Sequence, residues 1–236
     1  MADPLQDLPD LPPLLDHAVL DPLLDGEQLF ACCDASRERN IRAICGPLAR
    51  LPALRNRLGG GEGPRLIAAI DFPFGTLPAS LRLAEAEWAA ANGADELDVV
   101  PDFSALADGD SGRFAEDLAA LCDLGLPLRV VLDMARLSDG QLELAVEAAN
   151  DAGASGVQTG NGFGPPCHPD QVSQLKQLCR GRCAIKAAGG FHSLELVGDL
   201  VAAGANLIGT SSAPQLLQAQ RQLLQALRQR HTDRPA

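Results

Sequence analysis

The sequence contains no tyrosine and only two lysines, Lys176 and Lys186, so arginine supplies almost all of its positive charge. Chemistry that needs a lysine amine therefore has few candidates. No apolar run approaches the roughly 20 residues that a membrane-spanning helix requires. The N-terminal segment, MADPLQDLPDLPP, is acidic and proline-rich, whereas a secretory signal combines a basic start with an apolar stretch. These absences favour a cytoplasmic protein with no membrane association.

Charge and cysteine spacing exclude further classes. The 31 acidic residues outnumber the 19 basic ones and give a formal net charge of −12, which disfavours binding to nucleic acid or to anionic membranes. An anionic small molecule stays open, because local backbone dipoles can hold it. The seven cysteines include no CxxC pair, so we expect reduced, mostly buried thiols. The histidines also lack metal-ligand spacing, and we expect no metal and no other cofactor.

Apolar strand-like runs alternate with amphipathic segments along the chain. The predicted strands are 14–20, 41–46, 65–72, 96–101, 128–134, 156–160, 183–190 and 206–212. The predicted helices are 25–39, 47–58, 80–94, 112–124, 138–153, 169–179, 193–205 and 214–230, with Leu81, Ala84 and Trp88 on the core face of the third. The strands are mostly apolar rather than alternating, as expected for parallel strands covered on both faces.

Eight successive βα units predict a single-domain (β/α)8 TIM barrel over residues 14–230, between an N-terminal arm at 1–13 and a C-terminal tail at 231–236. A doubly wound sheet is the alternative. It is disfavoured because no GxGxxG motif follows the first strand.

In such a barrel the active site lies at the C-terminal ends of the strands. The polar residues there are Asp16, His17, Cys45, Asp71, Asp98, Asp133, Gln158, Thr159, Asn161, Lys186, Thr210, Ser211 and Ser212. Lys186 interrupts the apolar strand AIKAAGG, and burial makes a lysine a better nucleophile by lowering its pKa. The alternative is a structural lysine paired with a carboxylate. If Asp98 faces the barrel interior, it needs a cationic partner, and Lys186 is the obvious one.

Three glycine-rich turns end neighbouring strands: GNGFG at 160–164, AAGG at 187–190 and GTSS at 209–212. Backbone N–H groups in such turns, together with helix N-termini, bind anions without basic side chains. Phosphate sites after strands 7 and 8 recur in this fold. The turns therefore favour phosphate binding, with plain turn chemistry as the alternative.

Taken in order, the segments LLDHAVLDP, ELDVV, VVLD, GVQTGNGFG, AIKAAGG and ANLIGTSS resemble the deoxyribose-phosphate aldolase family over roughly residues 14–217. The resemblance implies a cofactor-independent class I aldolase that cleaves 2-deoxyribose 5-phosphate reversibly to acetaldehyde and glyceraldehyde 3-phosphate. It also implies that Asp98 shuttles protons, that Lys186 is the second lysine, which activates the first, and that Asp16 belongs to the active site. The implied phosphate-binding residues are Gly162, Gly189, Gly190, Gly209, Ser211 and Ser212. A homodimer is implied by the resemblance alone.

The sequence departs from the family on strand 6. The family pattern there is like VKTSTGF, with the lysine forming a Schiff base, and this chain has VQTGNGF with Gln158 at the lysine position. An amide nitrogen is delocalised into its carbonyl and forms no imine with an aldehyde. His192 also stands where the family usually has an arginine, and Asp21 where it usually has a lysine.

We therefore expect Schiff-base aldolase activity to be absent or severely reduced. One alternative is a catalytically silent relative that binds a phosphorylated metabolite or acts in regulation or assembly. Another is an active aldolase that uses Lys186 as the imine-forming amine, although a nearby Asp98 would raise the pKa of that amine. A third is a non-covalent reaction with Asp98 and Lys186 as base and acid.

Overall fold

The computed structural model describes residues 9–61, 63–190 and 192–232. Residues 1–8 of the expected arm and 233–236 of the expected tail lie outside this range. Within it, parallel strands close into a barrel in the order β1 to β8. The strands are β1 (Leu15–Ala18), β2 (Ala43–Pro47), β3 (Arg65–Ile70), β4 (Glu96–Val99), β5 (Leu128–Val131), β6 (Gly156–Gln158), β7 (Ala184–Ala188) and β8 (Leu207–Thr210). The predicted single-domain (β/α)8 barrel is confirmed.

The helices surround this barrel. They are α1 (Gly26–Glu38), α2 (Leu51–Leu58), α3 (Ala79–Ala91), α4 (Phe103–Asp108), α5 (Ser111–Cys122), α6 (Asp139–Asp151), α7 (Pro169–Cys179), α8 (Leu194–Ala203) and α9 (Ala213–Thr232). Short 3-10 helices lie at Pro12–Leu14 and Leu48–Arg50. No helix in the described ranges is both long enough and apolar enough to cross a membrane.

Local sequence signals account for several helix starts. Ser138 accepts a hydrogen bond from the backbone N–H of Gln141, whose side chain reaches back to Ser138 and completes a capping box at α6. Asp25 does the same with Gln28 at α1. The sequence analysis missed α4, a short helix in the connection that follows β4 and capped by Asp102.

The expected core face of α3 is wrong. Leu81 and Trp88 are 53% and 43% exposed, and Ala84 is also exposed. Arg82 is fully buried instead, since it pairs with Asp71 at 3.0 Å and with Asp117 at 2.6 Å. A paired arginine thus occupies a position that hydrophobicity alone would give to leucine.

Side-chain alternation on β4 separates the apolar layer from the barrel interior. Leu97 and Val99 belong to the large core between the strands and the helices. Glu96 and Asp98 point the other way, and Asp98 contacts Lys186 of β7 across the barrel. The interior therefore holds charged side chains that the mostly apolar strands hide from solvent.

Glycines make room for these long interior side chains. A Cβ atom on Gly209 would lie 2.6 Å from Cε of Lys186, and one on Gly156 would lie 3.0 Å from Cγ of Arg129. Neither distance is compatible with a normal carbon–carbon contact. Because Gly209 on β8 and Gly156 on β6 have no side chain, they leave the space that Lys186 and Arg129 occupy.

We predict that Gly209→Ala lowers the free energy of unfolding by about 1–3 kcal/mol, because the added methyl group overpacks the interior against Lys186. The matched control is Gly198→Ala in α8, where an added Cβ meets no atom within 4 Å. This control should be neutral or stabilising, because alanine favours a helix interior over glycine. Urea unfolding of both variants measures the difference, and an equal effect would contradict the packing argument.

Candidate active site

A cavity of about 260 Å³ opens at the C-terminal end of the barrel. The predicted site residues that line it are Asp98, Gln158, Gly162, Lys186, Gly189, Gly190, Gly209 and Ser211. Asp16 and Ser212 do not line it. Asp16 lies buried beside the ammonium of Lys186, and Ser212 contacts His192 at the rim.

The ammonium group of Lys186 sits between two carboxylates. Its Nζ atom lies 2.6 Å from Oδ2 of Asp98 and 2.9 Å from Oδ2 of Asp16. The contact with Asp98 is a hydrogen bond, whereas the contact with Asp16 is an ion pair without hydrogen-bond geometry. The expected contact between Asp98 and Lys186 is therefore present, and Lys186 has a second acidic neighbour.

These three residues belong to a closed cycle of opposite charges. Arg129 of β5 donates from Nε to Asp98 at 2.7 Å and from Nη1 to Glu96 at 2.6 Å. Arg42 joins Glu96 at 2.8 Å and Asp16 at 2.7 Å. We call the cycle the charge ring; its members are Asp16, Arg42, Glu96, Arg129, Asp98 and Lys186. Within the ring each carboxylate lies between two basic side chains, and Glu96 also pairs with Arg65 of β3 at 3.0 Å.

The ring favours the charged forms of Asp98, Glu96 and Lys186. Burial would raise the pKa of Asp98, but Arg129 and Lys186 outweigh it and lower the pKa to about 2. Burial opposes ionisation of Glu96 as well, yet hydrogen bonds and charge from Arg42 and Arg129 lower its pKa to about 2. Burial also works to lower the pKa of Lys186, and Asp16 and Asp98 more than compensate, so this pKa is raised.

Gln158 places a neutral amide beside the ring. It ends β6 opposite Lys186 in the sheet register and is 7% exposed. Its Nε2 donates to the carbonyl oxygen of Gly160 at 2.8 Å. A carbonyl only accepts, so this bond fixes the amide orientation. Oε1 has no hydrogen-bond partner within the described residues.

Part of the cavity wall consists of the backbone turns that follow β7 and β8. Gly189 and Gly190 have φ angles of 118° and 65°, a region that side-chain-bearing residues avoid. His192 follows them and lines the cavity together with Ser211. Among the described lining residues, Lys186 is the one lysine or arginine. Anion binding here would depend mainly on backbone N–H groups.

Two loops meet over the mouth of the barrel. Nδ2 of Asn161, after β6, donates to the carbonyl oxygen of Pro73, after β3, at 2.9 Å. The ring of Phe163 lies 5.9 Å from that of Phe72 and 5.8 Å from that of Phe74, in tilted arrangements. The pattern GNGFG predicts a glycine turn, and it gives no signal for the hydrogen bond between Asn161 and Pro73.

Sequence reasoning also missed three members of the charge ring, Arg42, Glu96 and Arg129. A signal was present for two of them. Glu96 has the same side-chain parity as Asp98 on β4, and Arg129 interrupts the apolar strand LRVVL as Lys186 interrupts AIKAA. Asp71, by contrast, lies outside the cavity and accepts hydrogen bonds from the backbone of Thr76 and from Arg82.

Comparison with known proteins gives consistent relatives. No family model matches the chain. A deoxyribose-phosphate aldolase of Trichormus variabilis is 33% identical over 209 residues, which cover 88% of this chain and 92% of that protein. One of Corynebacterium glutamicum is 34% identical over 212 residues, which cover 87% and 94%.

Solved structures agree in fold. A structure described as QR15, an aldolase, superposes with a TM-score of 0.86 at 28% identity, covering 91% of this chain and 98% of its own. The deoxyribose phosphate aldolase of Aeropyrum pernix, described as a unique tetramer, has a TM-score of 0.82 at 28% identity and coverages of 91% and 92%.

We predict that Glu96→Gln costs about 3–5 kcal/mol of unfolding free energy, because it leaves Arg42 and Arg129 without their shared buried carboxylate. The control is Asp151→Asn, which removes an exposed ion pair with Arg182 and should change stability little. Chemical denaturation of both variants provides the test. Equal stability of the two would show that the ring contributes nothing to folding.

A second prediction concerns His17, whose Nδ1 lies 2.9 Å from Oγ of Ser36. Burial lowers the pKa of His17 to about 4, against a smaller opposing effect of the Ser211 backbone. The unfolded chain therefore takes up this proton near pH 6.5 and the folded chain near pH 4. Stability should fall by about 2 kcal/mol between pH 7 and pH 5. Urea titrations of wild type and His17→Gln measure it, and an unchanged slope in the variant would refute the assignment.

Proposed function

The chain belongs to the deoxyribose-phosphate aldolase family, and from this premise we propose that its cavity binds a sugar phosphate or a small phosphorylated aldehyde while Schiff-base aldolase activity is absent or severely reduced. The family reaction would cleave 2-deoxyribose 5-phosphate to acetaldehyde and glyceraldehyde 3-phosphate. One observation carries the proposal: the described residues that line the cavity supply the amide of Gln158 and, as their one side-chain amine, the ammonium group of Lys186 between two carboxylates.

The amide is the first part of the argument. By resemblance, Gln158 occupies the position of the imine-forming lysine on strand 6. Its nitrogen donates to the carbonyl of Gly160 and has no basic lone pair with which to attack an aldehyde. Without an imine, the electrons released by carbon–carbon cleavage have no covalent acceptor.

The fixed ammonium group argues against the alternative that Lys186 forms the imine itself. Only a neutral amine attacks a carbonyl, and the pKa of Lys186 is raised above its ordinary value of 10.5 by Asp16 and Asp98. At pH 7.5 the neutral fraction is then below about one part in a thousand. A lysine with two carboxylates at 2.6 and 2.9 Å is also held away from a bound aldehyde by its own ion pairs.

Non-covalent acid–base catalysis by Asp98 and Lys186 is disfavoured for the same reason. An efficient base or acid has a pKa near the working pH. The pKa of Asp98 is lowered to about 2 and that of Lys186 is raised, so both pKa values lie further from neutral pH than the ordinary values. These two pKa shifts are more consistent with a cavity that binds a ligand without catalysing its reaction.

The phosphate end of the ligand is assigned to the turns after β7 and β8. Gly189, Gly190, Gly209 and Ser211 line the cavity there, on the same wall as His192. Gly162 lines the neighbouring turn after β6. These residues supply backbone donors of the kind that hold phosphate groups.

We also propose that the protein is cytoplasmic and that it forms a homodimer. The seven cysteines are all free thiols, which supports a reducing compartment such as the cytoplasm. A homodimer, implied by the family resemblance, is the proposed assembly, and the Aeropyrum pernix relative is described as a tetramer. Light scattering on the purified chain tests the assembly.

The experiment that tests the proposed function combines turnover with imine trapping. Purified protein is assayed with 2-deoxyribose 5-phosphate, and a second sample is treated with acetaldehyde and borohydride and mapped by mass spectrometry. We expect turnover at least about a thousandfold below that of an active family member, and no preferential ethylation of Lys186 over the internal control Lys176. Preferential labelling of Lys186 together with efficient turnover would contradict the proposal.

A gain-of-function variant complements this test. In Gln158→Lys, the new amine would lie beside the ammonium of Lys186, and the like charge would lower the pKa of the new amine. We expect the variant to acquire measurable cleavage of 2-deoxyribose 5-phosphate, whereas the volume-matched Gln158→Met variant stays inactive. A folded but inactive lysine variant would show that residue 158 is not what disarms the site.

A further inference from the structure

We propose that the imidazolium form of His192 strengthens anion binding in the cavity, so that an anion of fixed charge such as sulfate binds more tightly at mildly acidic than at mildly alkaline pH. The inference rests on the proposed function, which assigns the cavity to a phosphorylated ligand. His192 can gain a positive charge by protonation, whereas the turns around it offer mainly backbone N–H groups to an anion.

A hydrogen bond to the turn after β8 orients the side chain of His192. This residue lines the cavity beside Gly189 and Gly190, after β7. Its Nδ1 lies 2.9 Å from Oγ of Ser212, after β8. The imidazole therefore bridges the two turns to which the phosphate is assigned. Nε2 has no hydrogen-bond partner in the part of the chain that the structure describes.

This contact survives a change of protonation. A serine hydroxyl both donates and accepts a hydrogen bond, so Ser212 can pair with Nδ1 in the neutral ring and in the imidazolium. Protonation of His192 therefore adds a positive charge at the cavity rim without requiring a new side-chain position.

The rest of the cavity supplies little competing positive charge. Lys186 is the one lysine or arginine among the described lining residues, and Asp16 and Asp98 neutralise it. A single imidazolium at His192 thus adds a positive charge that has no acidic partner among the described residues beside these turns, in a chain whose formal net charge is −12.

Other titratable groups near this wall keep their charge between pH 5.5 and 8. The pKa of Asp98 is about 2, and those of Lys186, Cys45 and Cys167 are raised. On β1, His17 contacts the Ser211 backbone and has a pKa of about 4.

Two further titratable residues, Glu195 and His168, lie near these turns in the chain. Glu195 lies in the first turn of α8, three residues after His192, and does not line the cavity. His168, the N-cap of α7, does not line the cavity and provides the control.

The test measures sulfate binding, because sulfate keeps the same charge over this pH range. Backbone amide shifts of Gly189 and Gly190 are followed by NMR during sulfate titrations at pH 5.5 and pH 8.0, at constant ionic strength. We expect the dissociation constant of the wild type to be about fivefold higher at pH 8.0, the effect of one partly exposed charge. His192→Asn should reduce this ratio to near one. His168→Asn, which retains a capping side chain, should keep the wild-type ratio.

The outcomes separate this inference from the function on which it rests. Equal pH ratios in the wild type and in His192→Asn would overturn the role of His192 while leaving a phosphorylated ligand in place. If neither sulfate nor 2-deoxyribose 5-phosphate binds at either pH, the proposed function fails and the role of His192 fails with it.

Discussion

Six side chains of alternating charge form a closed cycle inside the barrel, and this ring constrains both folding and chemistry. Its members come from β1, β4, β5 and β7 and from Arg42 just before β2. Buried charges are costly unless each is compensated, and here every carboxylate contacts at least two basic side chains. Glycines at 156 and 209 leave the space that Arg129 and Lys186 need. A change at one position is therefore felt by the neighbouring strands.

The same electrostatics underlie the proposal that Schiff-base activity is absent or severely reduced. An ammonium group that is stabilised as a partner of two carboxylates is a poor nucleophile, and a carboxylate that is stabilised by two cations is a poor base. The amide of Gln158 can form hydrogen bonds, but it is not basic and cannot act as a nucleophilic amine. In the proposed function, binding and covalent catalysis depend on different parts of the barrel. The turns after β7 and β8 would bind the anion, whereas the ring and residue 158 would determine whether a carbon–carbon bond is broken.

Much of this architecture follows from local sequence patterns. Apolar runs separated by amphipathic segments predict eight βα units, and strand ends predict that Asp98, Gln158 and Lys186 meet. The ring was not predicted in full, because the partners of Glu96 and Arg129 depend on register across several strands, which no local pattern specifies. Arg82 was missed for a related reason: its burial depends on two carboxylates far away in sequence. The contact of Asn161 with Pro73 likewise joins loops that only barrel closure brings together.

The central claim is that Lys186 remains an ammonium group. Because the sequence has only two lysines, lysine labelled with 13C and 15N gives two side-chain signals, and Lys176→Arg assigns them. We predict that the Lys186 signal keeps the shift of a charged amine throughout a titration from pH 6 to pH 10. A transition near neutral pH would show a nucleophilic amine in the cavity and contradict the account.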